Sequence, residues 1–263
     1  MIKRSWITNN DHIFKSFTQW IFQRFLDRQK IFVSGYNLGE LKKKIQLHLG
    51  LLLLMTVTVC HSYQISDQNT NQNENEWSLF DGKTLDGWEI TDFGLQGSVH
   101  VEDSSIILER GNGATGITWK GDILLINYEV TLEAMRVEGI DFFCGLTFPV
   151  YEDALTLVVG GWGGKVVGLS CIDGFDASDN ETCLLQSFQN NRWYTIRLRV
   201  TEEAVTAWID DKKLVDFLLE DHELSLRPEV WLSYPFGIAS WRTTAALRNI
   251  KIKKIVPDPE NKP

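Results

Sequence analysis

A strict period of two runs through the C-terminal half of the chain. Tyr194, Ile196, Leu198 and Val200 alternate with Thr195, Arg197, Arg199 and Thr201, and Val205, Ala207 and Ile209 alternate with Thr206, Trp208 and Asp210. Successive side chains of a strand point to opposite faces, so this pattern collects the apolar residues on one side. Asp210-Asp211-Lys212-Lys213 then leads into Leu214-Val215, which is a hairpin signal. Ile250 and Ile252 alternate with Lys251 and Lys253, and the runs 123–134, 142–148 and 155–159 are β-rich and separated by Gly, Asp and Asn. Between residues 77 and 256 no long stretch sustains a 3.6-residue apolar period. Strands without helices between them predict an all-β chain, an antiparallel β-sandwich or jelly roll.

Such a fold needs a large apolar core. With 43% hydrophobic residues, ten tryptophans and fourteen phenylalanines in 263 residues, the chain can supply one. Its formal net charge is −9, and no run of Lys and Arg survives inside the expected folded part. A chain of this kind lacks the basic stripe that holds nucleic-acid phosphates, so no nucleic-acid partner is expected.

The N-terminal quarter follows a different pattern. Lys42-Lys43-Lys44 precedes an apolar run from Leu47 to Val59, too short for a comfortable membrane span but suited to an export signal. Val57-Thr58-Val59-Cys60 resembles a bacterial lipoprotein box, although Val59 stands where a small residue is usual. Lipidation at Cys60, plain cleavage and an uncleaved anchor are the three outcomes this leader (residues 42–60) allows. Each places the domain outside the cytoplasm, in the periplasm, at the cell surface or secreted, with a membrane tether in two of the three. Residues 1–41 precede the leader and are read as an extension from a start codon assigned too far upstream. Residues 61–76, rich in Asn and Gln, read as a flexible linker, and 257–263 as an unstructured tail. The folded domain is expected over 77–256.

Three cysteines lie inside that domain. Cys171 and Cys183 flank a polar loop, and in an exported protein a bridge between them is expected; it would stabilise by about 3 kcal/mol through loop entropy. Cys144 sits in an apolar strand pattern and reads as a buried thiol.

Glycine-rich motifs suggest phosphate binding, and counting excludes it. In Gly160-Gly161-Trp162-Gly163-Gly164, Gly161 and Gly163 begin a G-x-G-x-x-G, but Val166 takes the third glycine's place. A P-loop would need glycine at Val159 and Ser or Thr at Val166. The glycines therefore read as a turn between strands 155–159 and 165–169. Trp162 is left either as an exposed platform for a sugar ring or as core. Trp208, Trp231 and Trp241 are further candidates for stacking on sugars, with Arg242 following Trp241 and Lys165 following Trp162. Asp173, Asp176, Asp179 and Glu181 crowd one loop. Their spacing is not that of an EF-hand, and no metal-ligand motif occurs, so a calcium requirement and a merely solvated acidic loop both stay open. Asn180-Glu181-Thr182 matches a glycosylation acceptor.

The stretch Trp77-Ser78-Leu79-Phe80-Asp81-Gly82-Lys83-Thr84-Leu85-Asp86-Gly87-Trp88 closely resembles the "LFDGKTLDGW" opening of the 3-keto-disaccharide hydrolase domain family. Asn191–Arg197 resembles its W-x-x-(Y/I)-R strand, and Leu247–Ile252 its closing strand. Trp208–Val215 resembles its hairpin, with Asp210-Asp211 where the family usually has Asn-Gly. The resemblance covers Trp77 to Ile255 and implies a concanavalin A-like jelly roll, exported, often tethered, and concerned with carbohydrate breakdown. Its implied activity is hydrolysis of disaccharides oxidised to a ketone at C3. Such a ketone acidifies the C2 hydrogen, so a base can eliminate the aglycone before water adds, and the enolate needs an electrophile. The E-x-D-x-x-E motif of related glucanases is absent, which argues against a two-carboxylate retaining mechanism. Asp141, beside apolar residues that favour a raised pKa, is the candidate base, with Asp173 and Glu181 as alternatives. Lys165 and Arg242 are candidates for stabilising negative charge, and Trp162 and Trp241 for holding the sugar. A hydrolase, a non-catalytic glycan-binding module and a purely structural sandwich are the three readings this leaves.

Overall fold

The structure, a computed structural model, describes residues 75–256. The 1–41 extension, the leader with Cys60, most of the 61–76 linker and the 257–263 tail lie outside the described residues. Fifteen strands are present among those described. The first five are β1 (Glu76–Ser78), β2 (Trp88–Ile90), β3 (Val99–Glu102), β4 (Ser105–Leu108) and β5 (Ala114–Trp119). Then come β6 (Tyr128–Glu138), β7 (Cys144–Val150), β8 (Asp153–Gly160), β9 (Val166–Ser170) and β10 (Leu184–Leu185). The last are β11 (Trp193–Val200), β12 (Ala204–Ile209), β13 (Lys212–Leu218), β14 (Gly237–Trp241) and β15 (Thr244–Lys254).

They build two antiparallel sheets, as the alternation predicts. One has eight strands in the order β13-β12-β11-β6-β15-β4-β3, with β1 also on β15; the other has seven, in the order β10-β9-β8-β7-β14-β5-β2. The core lies between them. Leu132, Ile196, Leu198, Val205 and Leu247 from the first sheet meet Ile117, Leu146, Phe148, Leu157, Val167 and Ile238 from the second. Transfer of this apolar surface from water is the main force closing the sandwich. Within the 123–134 run the strand starts only at Tyr128, because Asn127 adopts φ +55° and breaks the extended conformation. The Asp210-Asp211 hairpin forms as expected, with Asp210 at φ +53° doing what Asn-Gly does elsewhere.

The opening signature is a structural loop. Asp81 Oδ1 accepts hydrogen bonds from the backbone N–H of Lys83 (2.7 Å) and Thr84 (2.8 Å), which hold its carboxyl below the usual range. Gly87 has φ +81°, and a Cβ there would lie 2.5 Å from the Trp119 ring. Trp88 is buried and donates its indole N–H to the Leu79 carbonyl at 2.7 Å.

The two sheets treat their outer faces differently. On β6 of the larger sheet, buried and half-buried residues alternate strictly, which fits one dry face and one wetter face. On β7 and β9 of the smaller sheet every residue is buried. Loops and a short 3₁₀ helix (Pro228–Ser233) cover that outer face, where Val158, Val166 and Ala177 form a second apolar cluster with Phe142.

Candidate functional site

The turn from β8 to β9 contains the tryptophan between paired glycines. Trp162 sits in the left-handed region (φ +47°, ψ 60°), as do Gly160 and Gly163 at φ +80°, with Gly164 at φ +94°. Left-handed backbone favours glycine, and a non-glycine residue held there is stored strain that the surroundings must support. Gly164 has a second reason to lack a side chain: a Cβ would lie 2.7 Å from Arg136 Nη1 and 2.9 Å from the Ile140 carbonyl. The Lys165 N–H closes the turn on the Gly161 carbonyl at 3.1 Å. The turn leaves the Trp162 side chain 41% exposed, so Trp162 is not part of the core.

Behind the turn lies Arg136, at the inward phase of β6 where the pattern would place a hydrophobic residue. It is buried and donates Nε to Asn190 Oδ1 and Nη2 to the Phe188 carbonyl, both at 2.7 Å. Its Nη1 reaches the Gly164 carbonyl at 3.5 Å. Burial disfavours its charge, and the Tyr194 and Asp141 side chains oppose that shift.

In front of the turn a cleft of about 270 Å³ opens on the outer face of the smaller sheet. Thr156, Val158 and Ser170 form its floor; Trp162, Phe142 and Trp241 form aromatic walls; Asp141, Arg227 and Glu229 bring charge. The Phe142 and Trp241 rings stack with centroids 6.5 Å apart. Asp141 is half-buried, and its Oδ1 accepts the Phe142 N–H at 2.8 Å.

Arg227 joins one wall to the rest. Its guanidinium lies 5.8 Å from the Trp162 ring centroid, pairs with Glu229 through Nε (3.1 Å) and Nη2 (3.0 Å), and bonds Asp176 Oδ2 through Nη1. Three of its five N–H donors are thereby engaged. The pairing lowers the Glu229 pKa and raises that of Arg227. Asp176 Oδ1 also accepts the Cys171 thiol at 3.3 Å.

Asp141, Trp162 and Trp241 therefore meet in one cleft. Lys165 and Arg242 do not line it. Lys165 is exposed past the turn, and Arg242 lies 5.7 Å from the Trp241 ring and donates Nε to the Asn112 carbonyl. Asp173 and Glu181 lie in a second cluster, on either side of His222. Asp173 Oδ2 is 2.7 Å from His222 Nδ1, and Glu181 Oε1 is 3.6 Å from Nε2. That cluster edges a separate hollow lined by β13 residues Leu214–Leu218. Among the described residues no group of three or more His, Cys, Asp or Glu is arranged to hold a metal ion. The expected Cys171–Cys183 bridge is not formed. Both thiols are free, Cys171 turned to Asp176 in a buried position and Cys183 exposed. Cys144 is a buried free thiol, its pKa pushed up to about 12 by burial. Trp208 stacks under Arg197 (3.8 Å) on the outer face of the larger sheet, and Trp231 is 65% exposed on the 3₁₀ helix.

Arg227, Glu229, Phe142 and Arg136 were missed in the sequence. Arg227-Pro228-Glu229 carries a usable signal, since a proline between two opposite charges fixes them at the start of a short helix. Arg136 carries another: it is the one charged residue at the buried phase of an otherwise apolar alternation.

Comparison with solved structures shows the fold. A Crh5 transglycosylase in complex with NAG aligns with a TM-score of 0.50 at 13% identity, covering 70% of this chain and 85% of that one. A Bacillus subtilis protein with a galectin-like fold aligns at 0.48 and 12% identity, over 66% and 90% or more of the two chains (91% of that one). The carbohydrate binding module CBM66 of Bacillus subtilis aligns at 0.41 and 11% identity, over 64% and 96%. No curated protein matches the sequence. The family described as the 3-keto-alpha-glucoside-1,2-lyase-like domain matches residues 75–253, and the chain belongs to that family.

Proposed function

We propose that the cleft binds a sugar ring against Trp162 and that Asp141 is the general base for elimination from a 3-keto-glycoside, followed by hydration. The observation that carries this reading is the shared cleft: two tryptophans and an acid held by one backbone hydrogen bond line the same cavity. The axial C–H face of a pyranose is apolar and suits an indole, while its hydroxyls suit Thr156 and Ser170. A C3 ketone makes the C2 hydrogen acidic. Asp141 takes that proton, the C2 electron pair forms the C1=C2 bond, and the C1–O bond breaks with its electrons on the aglycone oxygen, which gains a proton. Water then adds to C1 of the enone and restores the C2–H, so the net reaction is hydrolysis. The leader at 42–60 would deliver this domain beyond the membrane, where oligosaccharides are found.

A second reading, glycan binding without turnover, is favoured by one feature. Asp176 and Glu229 already share the charge of Arg227, so the cleft offers no unpaired cation to an enolate. Turnover and calorimetric binding of a 3-keto-disaccharide separate the two. For the enzyme, Asp141→Asn lowers kcat by roughly 10²–10⁴-fold and leaves binding intact, while Trp162→Ala weakens binding about tenfold, ~1.4 kcal/mol. Binding that depends on Trp162 without any turnover would establish the module instead.

A further inference from the structure

The outer face of the smaller sheet continues beyond the cleft. Strand register places Ser170, Thr156, Thr147, Gly237 and Thr118 side by side across β9, β8, β7, β14 and β5. The next row on the same face is Gly168, Val158, Gly145, Ala239 and Gly116. With strands about 4.8 Å apart, the hydroxyl row spans roughly 19 Å. All four hydroxyl side chains are buried; Ser170 and Thr156 border the cleft, the Thr147 and Thr156 hydroxyls share a hydrogen bond (3.0 Å), and Thr118 shares one with Thr91 (2.7 Å). A sheet face sealed permanently under a loop would ordinarily be apolar, because each buried hydroxyl must find a partner.

The cover is the segment 226–235, pinned at both ends. Ser225 exchanges two backbone hydrogen bonds with Cys171 (2.7 and 3.1 Å), and the carbonyl of buried Phe236 accepts the Trp119 N–H at 2.8 Å. Between the pins, the Leu232 carbonyl accepts the Thr118 hydroxyl at 3.0 Å, and Val230 is the apolar side chain that the segment buries. Trp231, Leu232 and Tyr234 face solvent. Segments with so few buried apolar contacts open at low cost. Ser233 supplies an independent observation. It is fully buried, its Cβ 2.9 Å from where a Gly237 side chain would begin, so it completes the row at its one gap, and its hydroxyl has no hydrogen-bond partner. An orphaned buried hydroxyl in line with four others marks a place built to meet further polar groups.

We propose that residues 230–235 form a strap over an extension of the cleft, and that an uncharged oligosaccharide longer than the cleft lifts this strap and lies along the hydroxyl row. The Arg227–Asp176 and Arg227–Glu229 pairs precede the strap and stay in place as part of the cleft. Hydroxyls both donate and accept, so a floor of Ser and Thr without charge matches a chain of sugar hydroxyls and offers nothing to an ionic ligand. The small neighbouring row leaves height for the rings. The inference rests on the carbohydrate reading of the cleft and extends it to the length of the ligand.

The test is calorimetric titration of the full 263-residue chain with α- and β-linked glucose oligomers of one to six units, with amide hydrogen exchange of the strap. Affinity should rise at least tenfold from the shortest ligand that binds to the longest, and exchange at residues 230–235 should change only with the longer ones. Ser233→Ala, which removes the hydroxyl that has no partner under the strap, should reduce the gain with length and leave the shortest ligand's affinity unchanged. Binding that is sensitive to Trp162→Ala but flat with length, with strap exchange unchanged, overturns the strap and leaves the cleft standing. Failure of every oligomer to bind overturns the strap, and the cleft reading then stands or falls with the 3-keto-disaccharide titration.

Discussion

The two outer faces of the sandwich are both made from antiparallel strands, yet they carry opposite chemistry. On the larger sheet, Arg197 lies on Trp208 and Arg248 on Trp193, while Glu129 pairs with Arg197 and Arg199 and Glu133 with Arg248. Large amphipathic side chains cover each other there. On the smaller sheet the outward residues around the cleft are mostly Gly, Ala, Ser, Thr and Val, with Trp241 at the end of β14, and further large side chains arrive from loops: Trp162 from the β8–β9 turn, Arg227 and Glu229 from the 3₁₀ segment and the residue before it. A face that covers itself is finished at the sheet. A face with short side chains depends on what loops lay over it, and that is where a ligand can compete. The difference teaches that sites in this fold follow from what the sheet omits as much as from what it presents.

The sharpest way to break the contrast is at the turn that brings Trp162 over the short side chains. Gly164→Ala places a Cβ against Arg136 and the Ile140 carbonyl at a residue whose φ is +94°. The expected cost is about 1–3 kcal/mol of unfolding free energy, read by denaturant titration, with loss of sugar affinity as Trp162 is displaced. Gly94, at φ +82° with nothing within 4 Å of its Cβ position, is the control; Gly94→Ala should cost less and leave binding unchanged. Equal costs at both positions would mean that the turn is held by backbone conformation alone and that the Arg136 contact is irrelevant.

The same contrast explains what the sequence revealed. The larger sheet was legible, because a wet outer face writes its alternation directly into the chain, as in Tyr194–Val200. The smaller sheet read only as β-rich runs, since β7 and β9 are buried on both faces and lose the alternation. At the site, Asp141, Trp162 and Trp241 were legible because their neighbours are informative: glycines beside Trp162, apolar residues beside Asp141. Arg227 and Glu229 were not, since an Arg-Pro-Glu in a loop has no period and its partner Asp176 lies 51 positions away in sequence. Asp173 and Glu181 looked like site acids for the opposite reason. They share a loop with Asp176, but the loop directs Asp176 to the cleft side and the other two to His222.

A milder change tests the self-covered face. Trp208→Ala removes the ring on which Arg197 rests at 3.8 Å and which Arg199 also approaches. Half-exposed cation–π and cross-strand contacts of this kind contribute about 1 kcal/mol. Thermal unfolding should register that loss, while affinity for sugar stays at the wild-type value. A variant that folds normally but no longer binds sugar would move the ligand to the larger sheet and reverse the assignment of the two faces.

The smallest effect is expected at the edge where the sheets meet, around His222. The Asp173 carboxylate raises the His222 pKa above its usual value, with Glu181 and Asp221 adding to the shift. In turn the Glu223 N–H, ahead of His222, lowers that of Asp173. A raised histidine pKa stabilises the folded state fully at pH values below the unfolded pKa of about 6.5, and that contribution disappears as pH rises through the folded value. The Asp173 contribution has the opposite sense: it is present above its unfolded pKa of about 3.9 and is lost as pH falls through the lowered one. The contact is therefore at full strength between those two limits. All three side chains are open to solvent, so screening keeps the effect small. His222→Gln should lower the melting temperature slightly at pH 5.5 and less at pH 8.5, as the wild type loses its advantage. Because this cluster edges a different hollow from Asp141, the variant should retain both sugar binding and any turnover. Loss of turnover comparable to that of Asp141→Asn would return Asp173 and Glu181 to the chemistry and join the two hollows into one site.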